Sequence, residues 1–196
     1  MTKYLRKKTK LLFGVGINDA DYAVSSKING KVVVCPFYVA WTNMLSRCYN
    51  DGCHKDHPTY IGCTVDSEWL SFNSFKSWMI EQEWEGNALD KDLLIQGNKV
   101  YSHKTCIFVS KLINSLLNKN LALRGEAPVG VAFHKGTGRY QASCRVYGKL
   151  KYLGLYDTPE EAHEAYKKFK YKYIAEIANQ QSEPLRTALL NYKIEG

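Results

Sequence analysis

A small set of polar residues in the middle of the chain has the types and spacing that metal-dependent phosphodiester chemistry uses. Asp90 follows a strand-like run, and Asn114 lies one turn into a segment with a helical apolar pattern. A hairpin packed on that helix would bring a carboxylate and an amide oxygen together, and oxygen donors of this kind hold Mg²⁺. Lys91 and His103 are the candidate bases, since each can carry or take a proton near that ion. The alternative is a turn and a helix surface that bind no metal.

The elements that must position these residues are a hairpin and a helix. Strand-forming residues flank Gly97-Asn98, which predicts two strands over 89–95 and 100–109 joined by a turn. The apolar positions that follow recur at helical spacing: Leu112, Ile113, Leu116 and Leu117. Ser110 precedes them and can cap the helix, because its hydroxyl can accept from an unpaired backbone N–H.

This order of segments resembles the ββα-metal core of phage HNH homing endonucleases. The resemblance rests on Asp90-Lys91-Asp92, on residues 105–109 and on Lys111-Leu112-Ile113-Asn114. It implies that Asp90 and Asn114 are metal ligands and that Mg²⁺ is the cofactor. The chain departs from the family at Lys91, where the family has the general-base His, and at Thr105, where it has the Asn that orients that His.

Because Lys91 stands in place of the general-base His, the sequence leaves open whether the protein cleaves DNA. A lysine with an ordinary pKa of about 10.4 is protonated at neutral pH and cannot take a proton from water. It could act as a base only if burial or a neighbouring cation lowered its pKa to near neutrality; otherwise it is a phosphate ligand. His103, on the second arm of the hairpin, is the candidate replacement, or else a solvated side chain.

A helical lead-in precedes this core. The sequence predicts helices over 37–49 and 67–84, a loop over 51–58 and a short strand over 60–65. The runs Trp41-x-x-Met44-Leu45-x-Arg47-Cys48-Tyr49 and Trp69-x-x-Phe72-x-x-Phe75-x-x-Trp78 resemble the lead-in of phage proteins of this type. We therefore expect residues 1–120 to form one HNH-like domain.

The composition favours a polyanionic partner. The chain has 196 residues, a formal net charge of +8 and a pI near 9.1, although a solvated basic surface would give the same values. Its first ten residues contain five basic residues and no acid, as in arms that follow phosphates, or in a solvated tail. Apolar runs near 18 residues and a signal-peptide pattern are absent, which predicts a soluble cytoplasmic protein with no membrane partner.

The cysteines pose the question of zinc. Six are present without a secretory signal, which indicates reduced thiols. The Cys and His residues that could gather around Zn²⁺ are Cys48, Cys53, His54, His57, Cys63 and Cys106. Their spacing is irregular and no pair is C-x-x-C, so we expect small buried residues or free thiols rather than a zinc site.

A separate module is predicted after a linker at 121–128. Strand-like runs over 129–134, 139–147 and 149–156 are separated by glycine turns, as in antiparallel hairpins. Thr158, Pro159 and Glu161 then have the pattern of a helix start with a capping box. The apolar stripe of that helix comprises Ala162, Ala165, Tyr166, Phe169 and Tyr173.

Alternation in the middle strand separates the two faces of this sheet. Its even-numbered residues, from Tyr140 to Val146, would face the helix, and its odd-numbered residues would face outward. We interpret the outward set, with basic and aromatic residues nearby, as a DNA-binding surface or else as a solvated face. The candidates are Arg139, Gln141, Ser143, Arg145, Lys149, Lys151 and Tyr152.

The module resembles the plant APETALA/ERF-type DNA-binding domain, which also occurs fused to phage homing endonucleases. The resemblance rests on Gly130-Val131, Gly138-Arg139-Tyr140-x-Ala142, Tyr152-Leu153-Gly154-x-Tyr156-x-Thr158-x-Glu160-Glu161-Ala162 and Ala165-Tyr166. It implies that the outward face enters the major groove of duplex DNA, with contacts from Arg139, Ser143, Arg145 and Tyr152. A departure is Ala132, where the family often has Arg.

The sequence therefore predicts an α+β protein in two parts. A helical lead-in with an HNH-like hairpin and helix comes first, and a three-stranded antiparallel sheet with one packed helix spans 129–178, before a helical tail at 179–196. The expected function is that of a phage protein of HNH homing-endonuclease type that binds double-stranded DNA and cleaves or nicks it. The alternative is an inactive DNA-binding regulator or a counter-defence protein that inhibits a host protein.

Overall fold

A computed structural model describes residues 10–117 and 127–194 of the chain. The chain divides into two compact units, Met1–Phe108 and Val109–Gly196. Helices and small sheets are mixed, so the protein is α+β, as the sequence predicts. The expected domain 1–120 crosses this division, and most of the expected linker at 121–128 lies outside the described residues. Within the described ranges, every helix is too short or too polar to cross a membrane.

The first unit begins with a two-stranded antiparallel hairpin. Strand β1 spans Ser25–Ile28 and β2 spans Lys31–Val34. Asn29 and Gly30 join them with φ values of 50° and 78°. Positive φ at both central residues is the geometry of a type I′ turn, which matches the twist of the strands it joins.

The core of this unit is built around helix α1, Pro36–Tyr49. Its buried residues are Trp41, Met44, Leu45 and Cys48, at the spacing of one helix face. The indole N–H of Trp41 donates to the backbone carbonyl of Trp69 at 2.7 Å, so this fully buried side chain has a partner for its polar atom. The helix predicted over 37–49 is confirmed.

The loop expected over 51–58 is wrong, because most of it is helical. Helix α2 spans Asp51–Asp56, and a single 3-10 turn follows over Pro58–Tyr60. The side chain of Asn50 accepts from the N–H of Gly52 at 2.9 Å and caps α2. This cap permits a short helix in a polar segment that contains a glycine.

The second helix predicted for the lead-in is divided in two. A 3-10 turn spans Ser67–Leu70, and helix α3 spans Phe72–Ile80. Ser71 between them is extended, with φ −81° and ψ 128°, and its hydroxyl accepts from the N–H of Ser74. Ser71 is therefore the N-cap of a new helix, and the chain changes direction at this residue.

The predicted hairpin over 89–109 forms only at its outer ends. Strand β4, Ala88–Asp90, pairs with β6, Ile107–Val109, so residues 91–106 connect them in place of a tight turn. Strand β5, Val100–Tyr101, lies in this connection and pairs in parallel with β3, Thr64–Val65.

Side-chain hydrogen bonds explain why the first arm is not a longer strand. The carboxylate of Asp90 accepts from the N–H groups of Asp92 and Leu93 at 2.9 and 2.8 Å, which turns the chain away from β4. The amide of Asn98 donates to the carbonyls of Lys91 and Val100 at 2.6 and 2.7 Å. Backbone groups that a strand would pair are therefore satisfied within the connection.

Helix α4, Lys111–Leu117, follows β6. The hydroxyl of Ser110 accepts from the N–H of Ile113 at 3.3 Å, so the predicted cap is confirmed. Near the other end of the second unit, the hydroxyl of Tyr192 donates to the carbonyl of Leu117 at 3.3 Å. This bond satisfies one of the carbonyls that the end of a helix leaves unpaired.

The second unit contains the predicted three-stranded antiparallel sheet. Its strands are β7, Val131–His134, β8, Arg139–Val146, and β9, Lys149–Tyr156, with β8 in the middle. Helix α5, Pro159–Ala178, packs on one face, and α6, Leu185–Leu190, packs against α5. Thr158 accepts from the N–H of Glu161 at 3.2 Å and is the predicted cap.

Candidate nucleic-acid interface

The outer face is our name for the side of the β7-β8-β9 sheet opposite α5. Ala142 and Cys144 are 0% and 2% exposed, so the even-numbered residues of β8 face the helix, as alternation predicts. Strand residues that are direct partners share a face, which extends the assignment to both neighbours. The outer face thus comprises Arg139, Gln141, Ser143 and Arg145 of β8, Leu150, Tyr152 and Leu155 of β9, and Ala132 and His134 of β7.

A bulge in β9 sets which of its residues join the outer face. Ala142 pairs with Gly154 and Ser143 pairs with Tyr152, so Leu153 has no partner in β8. The bulge keeps Tyr152 outward beside Ser143 and lets Gly154 face the helix. Tyr152 is 56% exposed and Leu150 is 63% exposed. Large apolar side chains that stay in solvent beside arginines are available for a partner.

Both arginines of the outer face have one fixed hydrogen bond. The Nε of Arg139 donates to the carboxylate of Asp157 at 2.8 Å. The Nη1 of Arg145 donates to the carbonyl of Gly148 at 3.1 Å, within the β8-β9 turn. A guanidinium has five N–H donors, so each keeps donors for a phosphate or a base edge. Arg145 keeps its full charge, whereas Asp157 partly neutralises Arg139.

Lys149 and Lys151 do not lie on the outer face with the other candidates. They pair with Val146 and Cys144, whose side chains point to the α5 side. The ammonium of Lys151 lies 4.8 Å from the centre of the Phe169 ring of α5, a cation–π contact. Partners across a ladder share a face, so these lysines lie on the α5 side of β9, and their role in DNA binding stays a prediction.

The candidate base Lys91 is held in an internal ion pair. Its side chain is 8% exposed, and its Nζ donates to the carboxylate of Asp92 at 2.9 Å and to the carbonyl of Asn98 at 3.0 Å. Burial opposes the positive charge, but the hydrogen bond and the charge of Asp92 outweigh burial and hold the pKa of Lys91 above its ordinary value. Lys91 is therefore protonated at neutral pH, and this arrangement does not suit a general base.

The candidate ligand Asp90 is a half-buried carboxylate beside a second one. Burial and the negative charge of Asp92 raise its pKa, and they outweigh the two backbone N–H groups that favour the charged form. The two acids flank Lys91 in sequence, and its ammonium is bonded to one of them. The positive charge that faces these two acids is therefore the ammonium of Lys91.

The other residues of the expected catalytic set lie in the β5-β6 turn. His103 is partly exposed, and its Nδ1 lies 3.6 Å from the carboxylate of Glu68. The hydroxyl of Thr105 donates to the carbonyl of Val100 at 2.7 Å, and it also lies 2.9 Å from the hydroxyl of Ser102. Thr105 therefore organises the turn, which is a structural role available to a hydroxyl.

Asn114 belongs to α4 in the second unit, whereas Asp90 belongs to the first. Their convergence on one ion stays a prediction. The first unit alone does not fit Mg²⁺ well, because one oxygen of Asp90 already accepts two N–H groups and Asp92 binds Lys91. Within residues 10–117 and 127–194, His, Cys, Asp and Glu side chains nowhere form a group of three that could hold a metal ion.

The cysteines considered for zinc are free thiols in the described structure. Cys48, Cys63 and Cys106 are buried in the core of the first unit, and burial raises the pKa of Cys48 and of Cys106 to about 12. Protonated thiols are poor metal ligands. His54 lies at 2.9 Å from the carbonyl of Arg47, so one of its ring nitrogens is already occupied.

The sequence patterns described above did not indicate one basic element, which is the β1-β2 hairpin. It carries Lys27 and Lys31 on exposed strands. The signal was present in Asn29-Gly30, the dipeptide most typical of a two-residue hairpin turn. The predicted basic arm at 1–10 lies outside the described residues, apart from Lys10.

No protein-family model, curated protein or solved structure matches the chain.

Proposed function

We propose that this protein binds duplex DNA through the outer face of its C-terminal sheet, in the manner of the APETALA/ERF-type domains that it resembles. The observation that carries the proposal is the strand register. It gathers Arg139, Gln141, Ser143, Arg145 and Tyr152 on the sheet face opposite α5. These are side chains that contact phosphates and base edges in DNA.

The chemistry of these side chains suits the major groove. An arginine donates two bonds to the O6 and N7 acceptors of guanine, and a glutamine pairs with N6 and N7 of adenine. Ser143 can contact a base edge or a phosphate, and the exposed rings and methyl groups of Tyr152 and Leu150 suit the thymine methyl group. The formal charge of +8 adds the long-range attraction to phosphates that brings a protein to DNA.

For the first unit, we propose a nuclease-derived domain that supports DNA binding and in which Lys91 does not act as the base for DNA cleavage. The support is the internal pairing of Lys91 with Asp92 and the raised pKa that results. Such a protein would act as a regulator on DNA or as a counter-defence protein that occupies a host protein.

Metal-dependent cleavage of the HNH homing-endonuclease type is the second candidate function. The observation that favours it is the order β4, β6 and α4, with Asp90 at the end of β4 and Asn114 in α4. This is the order of the ββα-metal core that the sequence resembles. A cleaving protein would need a base other than Lys91, and His103 is the remaining candidate in the described residues.

Fluorescence anisotropy with a labelled random-sequence duplex tests DNA binding by the outer face. The double variant Arg139→Ala/Arg145→Ala should weaken affinity by about tenfold and reduce the salt slope by about 1.8, since each phosphate contact contributes about 0.9. The matched control is Arg186→Ala/Lys172→Ala, which removes the same charge from exposed positions on α6 and α5. Equal behaviour of the two variants would remove the outer face from the proposal.

Cleavage is tested separately on supercoiled plasmid with Mg²⁺ or Mn²⁺. Nicking by the parent protein and none by Asp90→Ala would support the second candidate. Binding without nicking, on a duplex that the parent protein demonstrably occupies, would support the non-hydrolytic function.

A further inference from the structure

The β1-β2 hairpin is exposed on both faces along its whole length. All eight strand residues are solvent-exposed, including Ile28, Val32 and Val33, and Val32 reaches 65%. An isolated two-stranded hairpin has marginal stability in water, and exposed strand edges are a liability that proteins normally cover. Such an element in a folded unit points to a partner that covers it.

The hairpin is anchored firmly at its base. The N–H of Cys35 donates to the carbonyl of Val24 at 2.8 Å, and helix α1 begins at Pro36, directly after β2. The hydroxyl of Tyr22 lies 3.7 Å from the thiol of Cys35, and the ammonium of Lys76 lies 4.4 Å from the Tyr22 ring. The hairpin therefore projects from a fixed base on α1 and α3.

The charge on the hairpin is of one sign. Its two strands contain Lys27 and Lys31 and no acid, and the chain has no Asp or Glu from residue 22 to residue 50. In the described part of the chain, the side chain of neither lysine takes part in an ion pair or a hydrogen bond with another residue. Asn29 at the tip is likewise exposed to solvent.

The two lysines point to opposite faces of the hairpin. Lys27 is the direct partner of Val32, and Lys31 is the direct partner of Ile28, and these adjacent pairs alternate in side. A groove of duplex DNA has a phosphate backbone on each of its two walls. A hairpin that enters a groove by its tip would place one lysine toward each backbone.

We propose that the β1-β2 hairpin is a second DNA-contacting element, which enters the major groove by its tip. Lys27 and Lys31 contact phosphates on the two walls, and the amide of Asn29 reaches base edges. The inference rests on the proposed partner, duplex DNA, but not on the outer face as the contact surface.

The dimensions agree with the major groove. Four strand residues at about 3.3 Å each make an element roughly 13 Å long, against a groove about 8.5 Å deep. The major groove is about 12 Å wide and admits a two-stranded ribbon, whereas the minor groove is about 6 Å wide and does not. Asn29 can form paired hydrogen bonds with N6 and N7 of adenine, which face the major groove.

The test uses the full chain with the substitutions Lys27→Gln/Lys31→Gln, alone and combined with Arg139→Ala/Arg145→Ala. The hairpin variant should bind a random-sequence duplex about tenfold more weakly, and its salt slope should fall by about 1.8. The matched control Lys55→Gln/Lys172→Gln removes two exposed lysines elsewhere and should change the affinity less. Thermal unfolding of each variant checks that the fold is kept.

The outcomes separate the two proposals. Loss of affinity in the hairpin variant with none in the outer-face variant supports DNA contact by the hairpin and overturns DNA contact by the outer face. Loss only in the outer-face variant overturns the hairpin proposal. Absence of duplex binding by the parent protein overturns both.

Two further results would overturn the hairpin proposal. In the Arg139→Ala/Arg145→Ala background, methyl green, which occupies the major groove, should compete with the protein, and netropsin, which fills the minor groove, should not. Competition by netropsin alone contradicts major-groove entry. A dimer detected by light scattering that dissociates on Val33→Asp would show that a second copy of the chain covers the hairpin.

Discussion

The guanidinium of Arg139 and the carboxylate of Asp157 form a 2.8 Å ion pair at the edge of the outer face, with side chains 44% and 78% exposed. An exposed pair of this kind contributes little to folding stability. In the proposed DNA binding its effect would be larger, because the carboxylate orients Arg139 and would also repel an approaching phosphate. The acid therefore sets how much positive charge the outer face presents.

Removal of the Asp157 charge should strengthen DNA binding. Asp157→Asn keeps a hydrogen-bond acceptor for Arg139 and removes one negative charge, so we expect the Kd for a random-sequence duplex to fall about two- to fivefold at low salt. The matched control is Glu176→Gln, an exposed acid on α5. An unchanged Kd, or an equal change in both variants, would separate Asp157 from the DNA surface.

Substitution of Lys91 should cost stability whether or not DNA is cleaved. Lys91→Met keeps the buried stem and leaves the carbonyl of Asn98 and the carboxylate of Asp92 without their donor. Because Asp92 is half exposed, we expect a loss of about 1–3 kcal/mol in the free energy of unfolding, measured with urea. The exposed Lys104→Met is the control. Full stability of Lys91→Met would mean that Lys91 is not a structural residue.

The raised pKa of Asp90 predicts the pH dependence of its substitution. Since the pKa in the folded state exceeds the ordinary 3.8, the folded protein binds this proton more tightly than the unfolded chain. The charged carboxylate therefore lowers stability above the folded-state pKa, and this cost disappears as the pH falls below 3.8. Asp90→Asn keeps an oxygen that can accept from Asp92 and Leu93.

The measurement is the difference in Tm between Asp90→Asn and the parent protein from pH 3.5 to pH 7. We expect a difference that is smallest at the acidic end and becomes more favourable to the variant as the pH rises. A difference that stays constant, or that turns against the variant with rising pH, would show that burial does not disfavour the Asp90 charge.

The sequence was most informative where one periodicity dominates. Helix α1, the β7-β8-β9 sheet and the start of α5 were predicted, since apolar spacing, glycine turns and caps agree there. Local hydrogen bonds were not visible in that pattern. Asn50 created α2, Ser71 divided the second helix, and Asp90 ended β4, each through a side chain bonded to nearby backbone.

The candidate sites depended on information that strand alternation alone does not contain. Alternation placed Arg139 and Arg145 on the face opposite α5, but the positions of Lys149 and Lys151 needed the cross-strand register. The buried position of the Lys91 ammonium could not be predicted either, because the carbonyl of Asn98, which accepts from it, is brought there by the folded connection rather than by a strand. Residue type indicated the chemistry, and tertiary contacts determined the charge state.

A pair of glycine substitutions tests the packing of α5 on the sheet that presents the outer face. Gly130 has φ +79°, and a Cβ there would clash with the ring of Tyr166, whereas Gly138 has φ +68° and open space around it. Gly138→Ala should therefore cost about 1–2 kcal/mol from backbone strain alone. Gly130→Ala adds a clash and should cost roughly 2–4 kcal/mol.

Urea unfolding followed by circular dichroism measures both variants, and duplex binding is measured on the folded fraction. We expect Gly130→Ala to lose DNA affinity together with stability. Helix α5 packs on the face of the sheet opposite the outer face, so a shift of the sheet relative to α5 would move Arg139 and Arg145. Gly138→Ala should keep most of its affinity, although it lies next to Arg139. The reverse order of the two stabilities would show that Tyr166 does not hold the sheet against α5.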